Sequence, residues 1–336
     1  HMYIPELGHN VSVTDYAHTL YIRASWTDFN PQEDVYGWKI DSNLRAYIEG
    51  AYQRNMRLAF RVVVDSRDKR TEFTPQFVKD AGAKGFMNKG KWSPYSDDPV
   101  FQKYYTKFVK ALAKDFNDPS KVEFIDGFGL GKWGEYHTMI YSTGDDTPKK
   151  AVFNWVTDIY SQAFDKVPVV INYHRWIGAG KDWVDDEHFA ADSEEMLEEA
   201  IKKGYSLRHD AFGMTTYYGS WERRFAEKYR NICPIIMEGG WIVKSHNYWQ
   251  DPRGYRKDSH EDVRRGEFDD SKEAHVNMMD FRFGDTKSWF KDAFDLVRRF
   301  LREGGYRLYP SEISLPLEVS KKTPPTIKHC WNNLGW

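Results

Sequence analysis

The chain has little cysteine, no long apolar run and no excess of either charge. Only Cys233 and Cys330 occur in 336 residues. They are too few and too far apart for a disulfide framework or a zinc cluster, and both read as buried thiols. No apolar stretch approaches the ~18 residues that a membrane helix needs, so no membrane insertion is expected. A formal net charge of −2 lacks the pull toward nucleic acid that a domain of pI above ~9 would have. No Gly-x-Gly-x-x-Gly run leads from a strand into a helix, which removes the dinucleotide fingerprint. Neither His-x-His nor His-Glu-x-x-His appears among the 11 histidines, so neither metal nor cofactor is implied. What the chain has in surplus is aromatic: 13 Trp, 21 Tyr and 21 Phe exceed what a core of this size needs. That surplus predicts rings on a binding surface of a soluble, globular protein.

Strands alternate with helical patterns along the chain, the mark of βαβ units and a parallel sheet. Leu20 to Trp26, Met56 to Val64, Val122 to Leu130, Val167 to Tyr173, Ala211 to Tyr217, Pro234 to Met237 and Tyr306 to Tyr309 read as strands, with Val276 to Phe283 ambiguous. Helical spacing returns between them. Asp98-Pro99 is a helix start, a capping side chain before Pro at the first helical position. Asp192 with Glu195 reads as a capping box and Gly204 as a C-terminal cap. About eight such pairs predict an α/β protein of the (β/α)8 barrel type over residues 3–310. His1-Met2 reads as a cloning remnant. Residues 311–336 read as a β-rich tail that packs on the barrel or begins a C-terminal β-sandwich. The stretch from Lys244 to His275 is polar and without clear period; it follows Glu238 and is expected to be a loop covering a cleft. Its Arg264-Arg265 pair reads as solvated ion-pairing positions.

In such a barrel the active site lies past the C-terminal ends of the strands. Two carboxylates stand there. Glu135 follows Phe128-Gly129-Leu130-Gly131-Lys132-Trp133-Gly134, with Trp133 and Tyr136 beside it, and Glu238 ends the strand Ile235-Ile236-Met237. A carboxylate that continues an apolar strand is costly to bury unless it is paired. Two carboxylates flanking one site are what glycosidic bond cleavage needs, and aromatic rings stack on sugar faces. Trp26, Trp133, Trp176, Trp241 and Trp249 are the candidate platforms. Arg23, Asp65, Asn172, His174, Arg175, His209 and Asp210 stand where they could bind hydroxyls.

The segments from Gly129 to His137 and from Ile235 to Trp241 resemble the acid/base and nucleophile strands of clan A glycoside hydrolases, the superfamily that includes β-galactosidases. The chain also looks like a group of little-characterised bacterial barrel proteins with a Gly-x-Trp-Gly-Glu turn. Those proteins carry a Gly-Tyr-Arg, here Gly305-Tyr306-Arg307, ahead of a C-terminal β-sandwich. The resemblance implies a retaining hydrolase of β-linked glycans, galactose-containing ones among them, with Glu135 as acid/base and Glu238 as nucleophile. It also implies Arg61 beside the nucleophile, a hydrogen bond from Tyr217 or Tyr218, His137 at the substrate, a carbohydrate as partner, and a secreted or periplasmic location. Two departures stand out. Gly134 replaces the Asn that usually precedes the acid/base, and Glu135 follows the third visible strand rather than the fourth. Two other readings remain open: an inert glycan-binding barrel, and a metal-dependent hydrolase built on His174, His209 and Asp210.

Overall fold

The computed structural model describes residues 1–67, 69–180, 187–214, 217–240, 260–281, 286–322 and 324–336. Short apolar runs rich in Val, Ile and Phe suit a sheet covered on both faces. They form β1 (Thr19–Ser25), β2 (Arg57–Val63), β3 (Val122–Asp126), β4 (Val169–Asn172) and β5 (Ser206–Phe212). Each of these pairs in parallel with the next. Parallel neighbours need long crossovers, supplied by α1 (Asn43–Tyr52), α2 (Pro99–Phe116), α3 (Lys149–Ala163) and α4 (Glu187–Lys202). The class is α/β of the (β/α)8 type that the alternation predicts.

The chain forms two compact units. The larger comprises residues 12–210 and 217–225, the smaller 1–11, 211–216 and 226–336. In the larger, Asp98 caps α2 by accepting from the Phe101 amide, with Pro99 at the first position, a device worth about 1 kcal/mol. The stripe Phe101, Tyr105, Phe108, Val109, Leu112 and Phe116 of α2 is buried. Phe101, Tyr105 and Phe108 close around Trp26, their ring centroids 5.1 to 6.0 Å away. Trp26 is 0% exposed. It is a core residue and not the sugar platform its position suggests.

The smaller unit holds β6 (Ile235–Gly239) and β7 (Met278–Met279), paired in parallel. Alongside them are α6 (His260–Glu273), α7 (Thr286–Asp292) and α8 (Phe294–Glu303); α5 (Ser220–Tyr229) precedes β6. Tyr306 to Tyr309 does not complete the parallel series. Leu308–Ser314 (β8) pairs antiparallel with Lys328–Asn333 (β9), and every position of both strands is exposed. Pro310 cannot donate to a ladder and belongs on an edge, and the run lacks the continuous apolar character of a buried parallel strand.

Three other boundaries move, and buried charge explains two of them. β5 starts at Ser206 rather than Ala211, because Arg208 and His209 are interior residues of a strand, each 1% exposed. The polar stretch before His275 contains α6, whose buried side carries Arg264, Glu267 and Asp270 as well as Val263 and Phe268. Arg264 does form an ion pair, with Glu267 at 2.5 Å, but the pair is buried and not solvated. Asp192 lies inside α4 and accepts from Lys149 Nζ at 2.7 Å, so it is not a cap, while Gly204 closes the helix at φ +94°. Cys233 is half-buried and Cys330 exposed, both free, which corrects the expectation of two buried thiols. Among the described residues no helix is long and apolar enough to cross a membrane.

Candidate active site

The site in the larger unit begins with strand register. Arg23 on β1 lies opposite Arg61 on β2, and Arg61 opposite Asp126 on β3. Register partners in a parallel pair share a face. A layer that barrels of this type usually fill with Val, Ile and Leu is therefore charged here. Asp126 Oδ2 accepts from Arg61 Nε at 2.6 Å and from the Tyr21 hydroxyl at 2.8 Å, and Arg208 Nε lies 3.5 Å away. Arg208 also covers the Tyr21 ring at 4.4 Å. Asp126 and the Tyr21 ring face are among the groups that hold the two buried guanidiniums, which limits the cost of taking them out of water.

Beyond β3 the chain makes a tight loop with many left-handed residues. Gly129, Gly131 and Gly134 have φ of +67°, +74° and +74°. Trp133, Tyr136 and Thr138 follow suit at 59°, 61° and 50°, conformations that cost a bulky residue energy and that cluster at functional sites. Gly129 is obligatory, since a Cβ there would sit 2.0 Å from the Val62 carbonyl oxygen. Gly134 explains the missing Asn. Its φ is positive, and a Cβ would press on Val63 at 3.3 Å and on the Arg61 side chain at 3.4 Å.

This loop delivers Glu135 to the charged layer. Its Oε1 accepts from Arg23 Nη2 at 2.8 Å and from Arg61 Nη1 at 3.3 Å, and its Oε2 faces His137 Nε2 at 3.4 Å. The backbone is fixed as well: Arg23 Nη2 donates to the Trp133 carbonyl at 2.7 Å. His174 Nε2 donates to the Glu135 carbonyl at 2.9 Å, and the Trp176 amide donates to His174 Nδ1 at 3.2 Å. That pair of bonds selects the neutral Nε2–H tautomer of His174.

The second carboxyl at Glu135 is Asp210, two residues before the end of β5, and the two share a hydrogen bond. Burial first, then the negative Asp210, raise the Glu135 pKa to about 7 against the pull of Arg23. Burial acts on Asp210 in the same direction, but the hydrogen bond from Glu135, then the neighbouring His209 and the positive Arg61, outweigh it and hold Asp210 far below the carboxylate range. Of the pair, Glu135 carries the proton.

The other candidates separate by burial. Asn172 is fully buried, and neither side-chain polar atom has a hydrogen-bond partner among the described residues. It lies opposite Arg208 and so shares the face that points at Asp126. His137 is nearly buried, its ring between Trp133 at 5.8 Å and His174 at 5.7 Å. Trp133 is half-buried, with Lys132 Nζ 4.3 Å from its ring centroid. Tyr136 is no sugar contact: its ring is fully buried, with Phe128 and Phe153 each at 5.6 Å. Trp176 is buried beneath Arg175 at 3.9 Å, and Arg175 pairs with Glu222 at 3.0 Å. Asp65 pairs with Arg67. Tyr217 is half-buried, and Trp241 and Trp249 lie outside the described residues. Among the described residues no three His, Cys, Asp or Glu side chains are grouped to hold a metal ion.

In the smaller unit Glu238 lies on β6 and is 4% exposed. The backbone after it is pressed against α6: a Cβ on Gly239 would meet Glu267 Oε1 at 2.4 Å. Asp270 Oδ2 accepts from the Gly213 amide at 2.9 Å.

No family model matches the chain, and no curated protein matches it. Solved structures do. Endo-glycoceramidase II from Rhodococcus sp., in its five-membered iminocyclitol complex, is 14% identical with a TM-score of 0.50, covering 90% of this chain and 75% of that one. The same enzyme in a cellobiose-like imidazole complex gives a TM-score of 0.48 at 14% identity, covering 80% of this chain and 66% of its own. An endo-1,4-beta-xylanase from Caldicellulosiruptor owensensis gives 0.45 at 12% identity, covering 80% of this chain and 78% of its own. These neighbours are glycoside hydrolases, and at such identities the likeness is one of fold.

Proposed function

We propose that the protein is a glycoside hydrolase that cleaves a β-linked glycan with retention of configuration, using Glu135 as general acid and then general base. One observation carries this reading: a buried carboxyl, placed past a barrel strand on a strained loop, whose proton is held to about pH 7. An acid of that strength suits proton donation to a leaving oxygen near neutrality.

In the first step the Glu135 proton passes to the glycosidic oxygen as the C–O bond breaks and its electron pair leaves with the aglycone. Glu238, chosen for its place at the end of β6, is the proposed nucleophile that forms the new bond to the anomeric carbon. In the second step Glu135, now a carboxylate, takes a proton from water, and the water oxygen displaces Glu238. Asn172 and His137 are the proposed contacts to sugar hydroxyls. A buried amide with no protein partner is satisfied when a hydroxyl meets it. Galactose-containing glycans are the first substrates to try, on the strength of the sequence resemblance.

The test is a panel of aryl β-glycosides and plant, algal and host polysaccharides, with product configuration followed by proton NMR. The reading expects hydrolysis with retention that is lost in both Glu135→Ala and Glu238→Ala. Activity at the wild-type level in both variants would overturn it.

A further inference from the structure

We propose that Asp126 is a positioning residue of the site: it fixes the Arg61 guanidinium, and Arg61 in turn holds the Glu135 carboxyl. The inference rests on the reading of Glu135 as the general acid and gives a role to a carboxylate hidden at the end of an apolar strand.

The geometry is that of a staple. Asp126 ends β3 at the root of the loop that carries Glu135. Arg61, its register partner on the neighbouring strand, reaches both residues. Nε donates to Asp126 Oδ2 at 2.6 Å, and Nη1 donates to Glu135 Oε1 at 3.3 Å. The nitrogens of a guanidinium lie in one rigid plane, so pinning Nε aims Nη1. Both side chains of the Arg61–Asp126 pair are fully buried. The carboxylate is held in its turn, since the Tyr21 hydroxyl donates to the same Oδ2 at 2.8 Å and Arg208 Nε stands 3.5 Å from it. Tyr21 on β1, Arg61 on β2 and Arg208 on β5 thus converge on one oxygen.

Stability alone does not account for such a layer. A buried ion pair adds little net stability, and apolar residues of similar volume often serve as well; barrels of this type usually carry them there. What an apolar layer lacks is a donor for Glu135. A guanidinium brought to that depth needs its charge balanced, and Asp126 supplies the balance on the Nε side while Nη1 reaches Glu135. Arg23 donates to the same Oε1 at 2.8 Å. Losing Asp126 therefore loosens the Glu135 carboxyl without releasing it, and the expected effect on the acid step is partial.

The experiment compares wild type, Asp126→Asn, Arg61→Met and the double variant on an alkyl and a dinitrophenyl glycoside of the sugar that the substrate panel identifies. The proposal expects Asp126→Asn to lower kcat on the alkyl glycoside by about 10- to 10²-fold, with little change in KM and a smaller loss on the dinitrophenyl glycoside, whose aglycone needs no proton. In the Arg61→Met background the same substitution should add no further loss, the mark of a residue acting through Arg61. Equal losses on both glycosides, or an undiminished loss in the Arg61→Met background, overturn it. Tyr21→Phe, which removes one hold on Asp126 and leaves the buried charges intact, gives a milder loss of the same pattern and decides the matter if Asp126→Asn does not fold. Crystal structures of wild type and these variants supply a readout without turnover: Arg61 Nη1 is expected to leave Glu135 Oε1. If no glycoside is hydrolysed, the proposed function fails while that contact still decides the role of Asp126. If hydrolysis is found but the contact and kcat are unchanged in the variants, the function stands and this inference falls.

Discussion

Arg23 Nη2 holds two groups of the same loop at once, Glu135 Oε1 at 2.8 Å and the Trp133 carbonyl at 2.7 Å. One nitrogen thus ties the carboxyl to the backbone that presents it. Its charge also opposes that of Asp210, since Arg23 lowers the Glu135 pKa while Asp210 raises it.

Replacing Arg23 with Met should move the alkaline limb of the pH profile of kcat/KM upward, because it removes a charge that lowers the Glu135 pKa. It should also lower kcat through the slackened loop. A pH series of initial rates on one chromogenic glycoside checks the direction.

His174 reaches Glu135 through the backbone carbonyl at 2.9 Å, so its loss should misplace the carboxyl without removing a sugar contact. His174→Ala is expected to lower kcat by about 10²-fold with little change in KM. His174→Gln, which can keep a donor there, should recover part of the loss. Steady-state kinetics on both variants separate the two parameters.

The two loop glycines should differ in cost. At Gly129 a Cβ collides with the Val62 carbonyl oxygen at 2.0 Å, whereas at Gly134 the nearest atom is at 3.3 Å. Gly134→Ala should cost about 1 to 2 kcal/mol from the left-handed conformation alone, and Gly129→Ala clearly more, because backbone has to move. Denaturant melts of both variants give the order.

The sign of the pH dependence of stability follows from Glu135. Its pKa rises from an ordinary 4.5 to about 7 on folding. The stabilisation from keeping it neutral is complete below 4.5 and is lost as pH rises through about 7. Asp210 works oppositely, since its pKa is lowered from 3.8 on folding; its contribution is lost only in strong acid and adds no slope in that window. Wild type should therefore lose stability relative to Glu135→Gln between those pH values, by on the order of a few kcal/mol. Parallel urea melts across that range measure it.

Much of the fold was readable because its helices announce themselves through caps and apolar stripes, as Asp98-Pro99 and the run from Phe101 to Phe116 do. What escaped was polar and buried. β5 contains Ser206, Arg208, His209 and Asp210, and α6 turns Arg264, Glu267 and Asp270 inward, so a period counted on apolar residues found neither correctly. The same physics hid the partner of Glu135. Asp210 gains its meaning from a bond to a residue far away in sequence, and no local pattern encodes that. Tyr136 and Trp26 misled in the opposite sense, because a ring near a catalytic loop reads alike whether it faces a ligand or the core. The final strand was misplaced because Tyr306 to Tyr309 suits an exposed hairpin as well as a barrel, and only Pro310 pointed to the hairpin.

The central claim, that Glu135 donates the proton to the leaving group, is tested most directly by leaving-group dependence. The rates of Glu135→Ala and wild type are compared on a dinitrophenyl glycoside, whose aglycone needs no proton, and on an alkyl glycoside, whose aglycone does. The account predicts a loss of about 10² to 10⁴-fold in the glycosylation step on the alkyl glycoside and little loss in that step on the dinitrophenyl glycoside, with added azide restoring turnover of the latter. Equal losses on both substrates, or none on either, would contradict it.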